Sequence, residues 1–225
     1  MTSPFAGDEL DRWLASLPPL ATLPESTALS RAHPHLFGST EFDVRAGQDF
    51  RFSTVRFEGR VVPVMYTADT AEVAACETVF RHSYDSQTPR RPRRVFLDRY
   101  ATWQWSELVT LTATRTLSLD QSTIRHLTPD AASVFTSPPT GYPRSRLFAE
   151  AVLRVLPECD AISWPSAQHS GGTSYVFFGP VSGRSGGLAR EAFGGVGAAT
   201  PFASRAGAEQ LATIANALDI TLATG

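Results

Sequence analysis

The run VVPVMYTADTAEVAACETVF, Val61 to Phe80, decides how the chain is read. Val61 to Tyr66 is short and rich in β-branched residues, which predicts a strand, with Pro63 marking an edge position or a late start. Asp69 follows, and Glu72 three residues later completes a capping pair, so a helix is expected from Thr70 to about Phe80. That helix would present Val73, Cys76, Glu77 and Phe80 on one side. Glu77 therefore interrupts an apolar stripe with a carboxylate. A charge there is either edge-placed and wet or paired in a cleft, and cleft carboxylates are enriched at functional sites.

Outward from this run, strands and helices mix. Toward the amino terminus, Asp8–Leu17 reads as an amphipathic helix stopped by Pro18 and Pro19, and Leu20–Glu25 as a connector. Toward the carboxyl terminus, Val95–Leu97 reads as a strand after the arginine-rich turn Thr88–Arg94. Leu108–Leu119 alternates well enough for one or two strands, Pro138–Pro143 is a loop, and Ser145–Val155 is a helix with Phe148, Ala151, Val152 and Val155 facing the core. Ala161–Trp164 and Tyr175–Phe178 are short strands joined by the polar turn Ser166–Thr173. The glycine-rich stretch Gly183–Gly197 precedes a last helix near Gly207–Leu218. Regular βαβ alternation is missing, so the fold class is α+β, with a compact mixed sheet and flanking helices. Three segments are expected: 1–28 as helix and connector, 29–181 as the main domain, and 182–225 packed on it.

Composition sets bounds on function. The 225 residues suit one domain with short additions, and 42% hydrophobic content is that of a globular chain. A formal net charge of -2 gives no reason to expect nucleic acid. All 20 basic residues are arginine, which reflects a GC-rich genome or a use for planar forks suited to phosphate. Cys76 and Cys159 are too few for a disulfide framework or a zinc site. His33, His35 and three scattered histidines make no metal set. Met1–Gly7 lacks the basic stretch and apolar run of a secretory signal, and no stretch approaches the roughly 18 apolar residues of a membrane span. The cytoplasm is the expected location, with no membrane partner.

Other residues could carry chemistry. Arg51 sits in the aromatic setting Phe50-Arg51-Phe52, and Arg31 precedes His33-Pro34-His35; each reads equally as an ordinary surface arginine. Tyr66 ends a predicted strand, as a core ring or as a platform on which a planar base could stack. Ser166 leaves the sheet in Trp164-Pro165-Ser166, but without the G-x-S-x-G elbow, and His169 is a weak partner for a serine nucleophile. Gly194, Gly195 and Gly197 make no dinucleotide fingerprint, and no lysine is present to complete a P-loop. Arg90, Arg91, Arg93 and Arg94 suit a solvated turn, an acidic partner or a phosphate-rich ligand.

In order, Ser30-Arg31, Phe50-Arg51-Phe52, Val64-Met65-Tyr66-Thr67-Ala68, Ala74-Ala75-Cys76-Glu77 and Trp164-Pro165-Ser166 resemble the RES domain, a family named for an arginine, a glutamate and a serine. The strand ending Val176-Phe177-Phe178 is similar to the family's closing strand, and the resemblance spans about Leu29 to Gly179. Ser30 and Ala32 flank Arg31 where the family often has an aromatic, and Ser53 and Thr54 stand in for an asparagine and a glycine. The resemblance implies an α+β fold like that of ADP-ribosyltransferase toxins, an activity that depletes NAD, and an Xre-type antitoxin partner whose tail covers the active site. It implies Arg31, Arg51, Tyr66 and Ser166 as NAD-binding residues and Glu77, Ser166 and Arg51 as catalytic ones. No cofactor is called for beyond NAD as substrate, with phosphate as an optional co-substrate. The chemistry suits these residue types: guanidinium forks for a diphosphate, a ring for cationic nicotinamide, and a carboxylate for an oxocarbenium-like ribose. Cleavage by water or phosphate, ADP-ribosyl transfer to a protein, and a non-catalytic partner-binding module stay open at this level.

Overall fold

The computed structural model describes residues 8–44, 51–81, 93–120, 123, 142–166 and 169–223. Helix α1 (Asp8–Ala15) buries Leu10 and Leu14 and ends ahead of the two prolines. The segment expected to be a connector contains strand β1 (Ala21–Leu23), which pairs with the main sheet rather than merely leading to it. Strand β2 (Ala28–Pro34) was not legible, because Ser30, Arg31 and His33 break the apolar signal, yet all three are buried. The hairpin β3 (Arg56–Phe57) and β4 (Arg60–Val61) and strand β5 (Val64–Ala68) replace the single strand expected over Val61–Tyr66. Pro63 is the reason, since it has no N–H to continue a ladder.

Helix α2 (Ala71–Glu77) is shorter than its pattern and starts differently. Thr70 caps it, its side chain accepting from Val73 N at 3.2 Å. Asp69 is used elsewhere: its carboxylate accepts from Thr173 N at 2.8 Å, and its own N–H donates to Thr173 O at 3.0 Å. The helix stops at Glu77, where the Thr78 hydroxyl donates to Ala74 O at 2.6 Å and Phe80 N turns back to Ala75 O. Gly172 lets α2 lie close to the sheet, because a Cβ there would stand 2.1 Å from a Val73 methyl.

Strands β6 (Arg93–Phe96), β7 (Trp103–Thr110) and β8 (Thr114–Ser118), helix α3 (Tyr142–Val155), and strands β9 (Ala161–Pro165) and β10 (Thr173–Phe178) follow. Arg90 and Arg91 of the basic turn lie outside the described residues, as does most of the Pro138–Pro143 loop. Part of the glycine-rich stretch is strand β11 (Phe193–Pro201), whose pairing with β7 shifts register between Val196 and Thr200. Gly197, at φ 72°, sits in that irregularity, where a side chain would be strained. Helix α4 (Arg205–Ala217), capped by Ser204, and strand β12 (Ile220–Ala223), parallel to β6, end the described chain.

The architecture is α+β. The eight-stranded sheet runs β1-β8-β9-β10-β5-β2-β7-β11, antiparallel except for β8 beside β9. On one face, α1 and α3 cover the β8-β9-β10 end through Leu14, Phe148, Val152 and Ile162, while α2 and α4 cover the β2-β7 end through Val73, Trp105 and Leu211. Leu29, Met65, Leu108, Phe177 and Phe193 form the core of the opposite face. Helix α1 is tied to α3 by Asp11–Arg154 at 2.6 Å and by Trp13 against Phe148, so residues 8–23 share the body of the main domain. Among the described residues no helix is long and apolar enough to cross a membrane.

Candidate active site

The two helical clusters meet over the middle of the sheet, and α2 ends there. Strands β2 and β5 pair only at Ser30 and Ala68; farther along β5 the partner is Asp43, bridged to Val64. The sheet therefore splays, and a cleft opens between the strands, lined by Arg31, His33, Ser53, Val64, Tyr66 and Thr78.

Four of the expected residues converge beside this split. Glu77, half-buried at the end of α2, accepts a hydrogen bond from Ser166 Oγ at 3.1 Å. Ser166 stands at the exit of β9; its N–H donates to Gly172 O at 2.8 Å and its hydroxyl accepts from His169 N at 3.3 Å, so the turn back into β10 holds it in place. The role of His169 here is through its backbone. Tyr66 OH accepts from Phe52 N at 2.7 Å, and burial pushes that phenol well above its ordinary range. Phe52 is buried against Trp164 with ring centroids 5.4 Å apart, which anchors the Arg51-Phe52 segment below the tyrosine.

Arg51 is only 5% exposed. Burial, followed by the positive charge of Arg81, lowers its pKa to about 10, against the pull of Glu77, Tyr142 and Tyr66. Its guanidinium carbon stands 5.8 Å from the centre of the Tyr142 ring, and that of Arg81 stands 4.6 Å from the same ring. An aromatic face beside two cations offsets part of their mutual repulsion. The result is a pocket wall with two guanidiniums, two phenols, a carboxylate and a hydroxyl.

Arg81 and Tyr142 are absent from the sequence-derived set. A signal existed for each: Arg81 follows Glu77 by four residues, and Tyr142 directly precedes Pro143, a residue favoured in the first turn of a helix. In the sequence Tyr142 falls within the proline-bounded stretch Pro138–Pro143, which reads as a loop.

Arg31 lines the same cleft as Tyr66 and Thr78, but its guanidinium is bonded to the 38–39 loop rather than to Glu77 or Ser166. In the β2–β7 register Arg31 faces Ser106, on the side of the sheet opposite Ala68 and Tyr66. Its Nη1 donates to Ser39 O at 2.8 Å and Gly38 O at 3.2 Å. Burial lowers its pKa to about 10 while Asp43 and Glu41 oppose the shift. It forms one wall of the cleft with its guanidinium turned to the 38–39 loop. Among the described residues no group of three histidine, cysteine or carboxylate side chains is placed to hold a metal ion.

Residues 28–190 match the RES domain, and the chain belongs to that family. Among solved structures, the fold is similar to the crystal structure of the M. tuberculosis MbcT–MbcA toxin–antitoxin complex, with a TM-score of 0.47 and 15% identity over 76% of this chain and 82% of that one. No curated protein matches the chain.

Proposed function

We propose that this RES-domain protein cleaves the bond between nicotinamide and ribose in NAD, and that it is the toxin of a toxin–antitoxin pair acting in the cytoplasm against an Xre-type antitoxin partner. The observation that carries the enzymatic reading is the Ser166–Glu77 hydrogen bond beside Arg51 and Tyr66, which puts a positioned carboxylate next to a cation-rich, ring-lined wall. Arg51 supplies the fork for the diphosphate. Tyr66 offers its ring to the planar nicotinamide, its hydroxyl being occupied by Phe52 N. Glu77 opposes the positive charge that grows on the ribose as the bond breaks, a contribution strongest in the transition state. Ser166 keeps that carboxylate oriented. Arg31 acts at one remove, holding the cleft wall through the 38–39 loop.

In the reaction the C1″–N bond breaks with its electron pair going to the pyridinium nitrogen, and an acceptor oxygen, of water or of phosphate, bonds to C1″. NAD and the acceptor are the two substrates, and no oxidant or reductant is needed. Purified protein incubated with NAD should release nicotinamide. Glu77→Gln should lower that rate by about 10²–10³-fold while leaving thermal unfolding nearly unchanged. Parent-like release by the variant removes Glu77 from the mechanism.

A further inference from the structure

Beneath Glu77 lies a small cavity whose chemistry bears on the choice of acceptor. Tyr66, Ala74, Glu77, Thr78, Trp164 and Ser174 supply most of its lining. Its free space for a water centre is about 10 Å³, which matches a single water.

Ser174 stands opposite Ala68 on one side and Trp164 on the other, so its side chain lies on the face covered by α2. The residue is 1% exposed, and its hydroxyl has no hydrogen-bond partner among the described residues. A buried hydroxyl in that condition carries a desolvation penalty unless something polar meets it. Thr67 also touches the cavity and has an unpartnered buried hydroxyl, but strand alternation directs its side chain to the opposite face. Of Glu77, Oε1 receives Ser166, which leaves the other oxygen to take a proton.

We propose that Ser174 and Glu77 hold the attacking water between them, so that this enzyme is a hydrolase in which Ser174 is a positioning residue. The inference rests on the NAD-cleaving reading above. The water oxygen bonds to ribose C1″ as the C1″–N bond breaks, the bonding pair leaves with nicotinamide, and the water's proton passes to Glu77 and then to solvent. The products are ADP-ribose, nicotinamide and a proton. Phosphate is disfavoured on two grounds. It is larger than the single water that the space fits, and its negative charge would stand against the Glu77 carboxylate.

The test compares products and rates in phosphate and in phosphate-free buffer, with methanol as a competing acceptor. The parent should yield free ADP-ribose at the same rate in both buffers. Ser174→Ala should lower kcat roughly tenfold with KM within about twofold, the scale of one lost hydrogen bond. It should also raise the fraction of methyl ADP-ribose, because removing Oγ makes room for a larger acceptor. That shift in partition is a readout that a merely packing role would not move. Nicotinamide release that requires phosphate, with ADP-ribose-1″-phosphate as product, overturns the water assignment and leaves NAD cleavage standing. An Ser174→Ala enzyme with parental kcat and partition overturns the role of Ser174. No nicotinamide from the parent in either buffer overturns the underlying reading itself.

Discussion

Arg31 and Arg51 look alike along the chain and in their burial, at 4% and 5% exposure, yet they belong to different parts of the molecule. Burial lowers each to a pKa of about 10. What surrounds them differs. Arg31 lines the cleft from the far side of the sheet, donates to two backbone carbonyls and has Asp43 and Glu41 as its compensating charges. Arg51 lies on the α2 face with a second cation, Arg81, and the Tyr142 ring beside it. Two cations sharing one wall raise the local positive potential, which favours an approaching anion, whereas the carboxylates beside Arg31 oppose it. Burial is alike at the two positions, and the charges around them are what differ.

The same truncation at both positions tests this contrast. Arg51→Met should lower kcat/KM for NAD by about 10²-fold, near 3 kcal/mol of lost charge-assisted bonding, with little change in unfolding temperature. Arg31→Met should do the reverse. It leaves two carbonyls without their donor and two carboxylates without their cation, so stability should fall by about 3 kcal/mol, read as a drop of roughly 6–12 °C in Tm. Equal losses of Tm at both sites, with NAD kinetics unchanged in each, would erase the distinction.

His33 sharpens the far-face side of the comparison. Its Nε2 meets Ser106 Oγ at 2.8 Å, and burial followed by the charge of Arg31 pushes its pKa from 6.5 down to about 3. The folded imidazole stays neutral in a range where the unfolded one takes a proton. Its contribution is therefore complete above pH 6.5 and is lost progressively as pH falls toward 3. At pH 5 the loss is about 2 kcal/mol. Denaturant titrations at several pH values should show this slope in the parent and a flatter one in His33→Gln. The smallest effect expected is at the start of α2. Thr70→Ala removes the cap and should lower stability by about 1 kcal/mol, with a modest fall in nicotinamide release because Glu77 rides on the same short helix.

Much of the sheet could be read along the chain because β5, β9, β10 and the helices carry continuous apolar signals that local periodicity detects. Strand β2 escaped because its polar residues are buried by pairing partners distant in sequence, such as Ser30 with Glu107 at 2.9 Å. Strand β11 escaped because five of its residues are glycine or alanine in a run with little apolar bulk. The cap falls on Thr70, one residue past the position the sequence suggests, because Thr173, a hundred residues on, takes the Asp69 carboxylate.

The chain by itself determined the α+β class, the strand–helix unit that carries Tyr66 and Glu77, and the residues by which it resembles the RES domain. These follow from short-range steric and hydrophobic preferences and from an ordered set of motifs. Only the tertiary structure decided which arginine stands by the carboxylate, that Arg81 and Tyr142 join the same wall, and that Ser174 reaches the floor beneath Glu77. Such choices depend on which face of a strand a residue occupies and which charges fold up against it, and strand pairing between remote segments settles both.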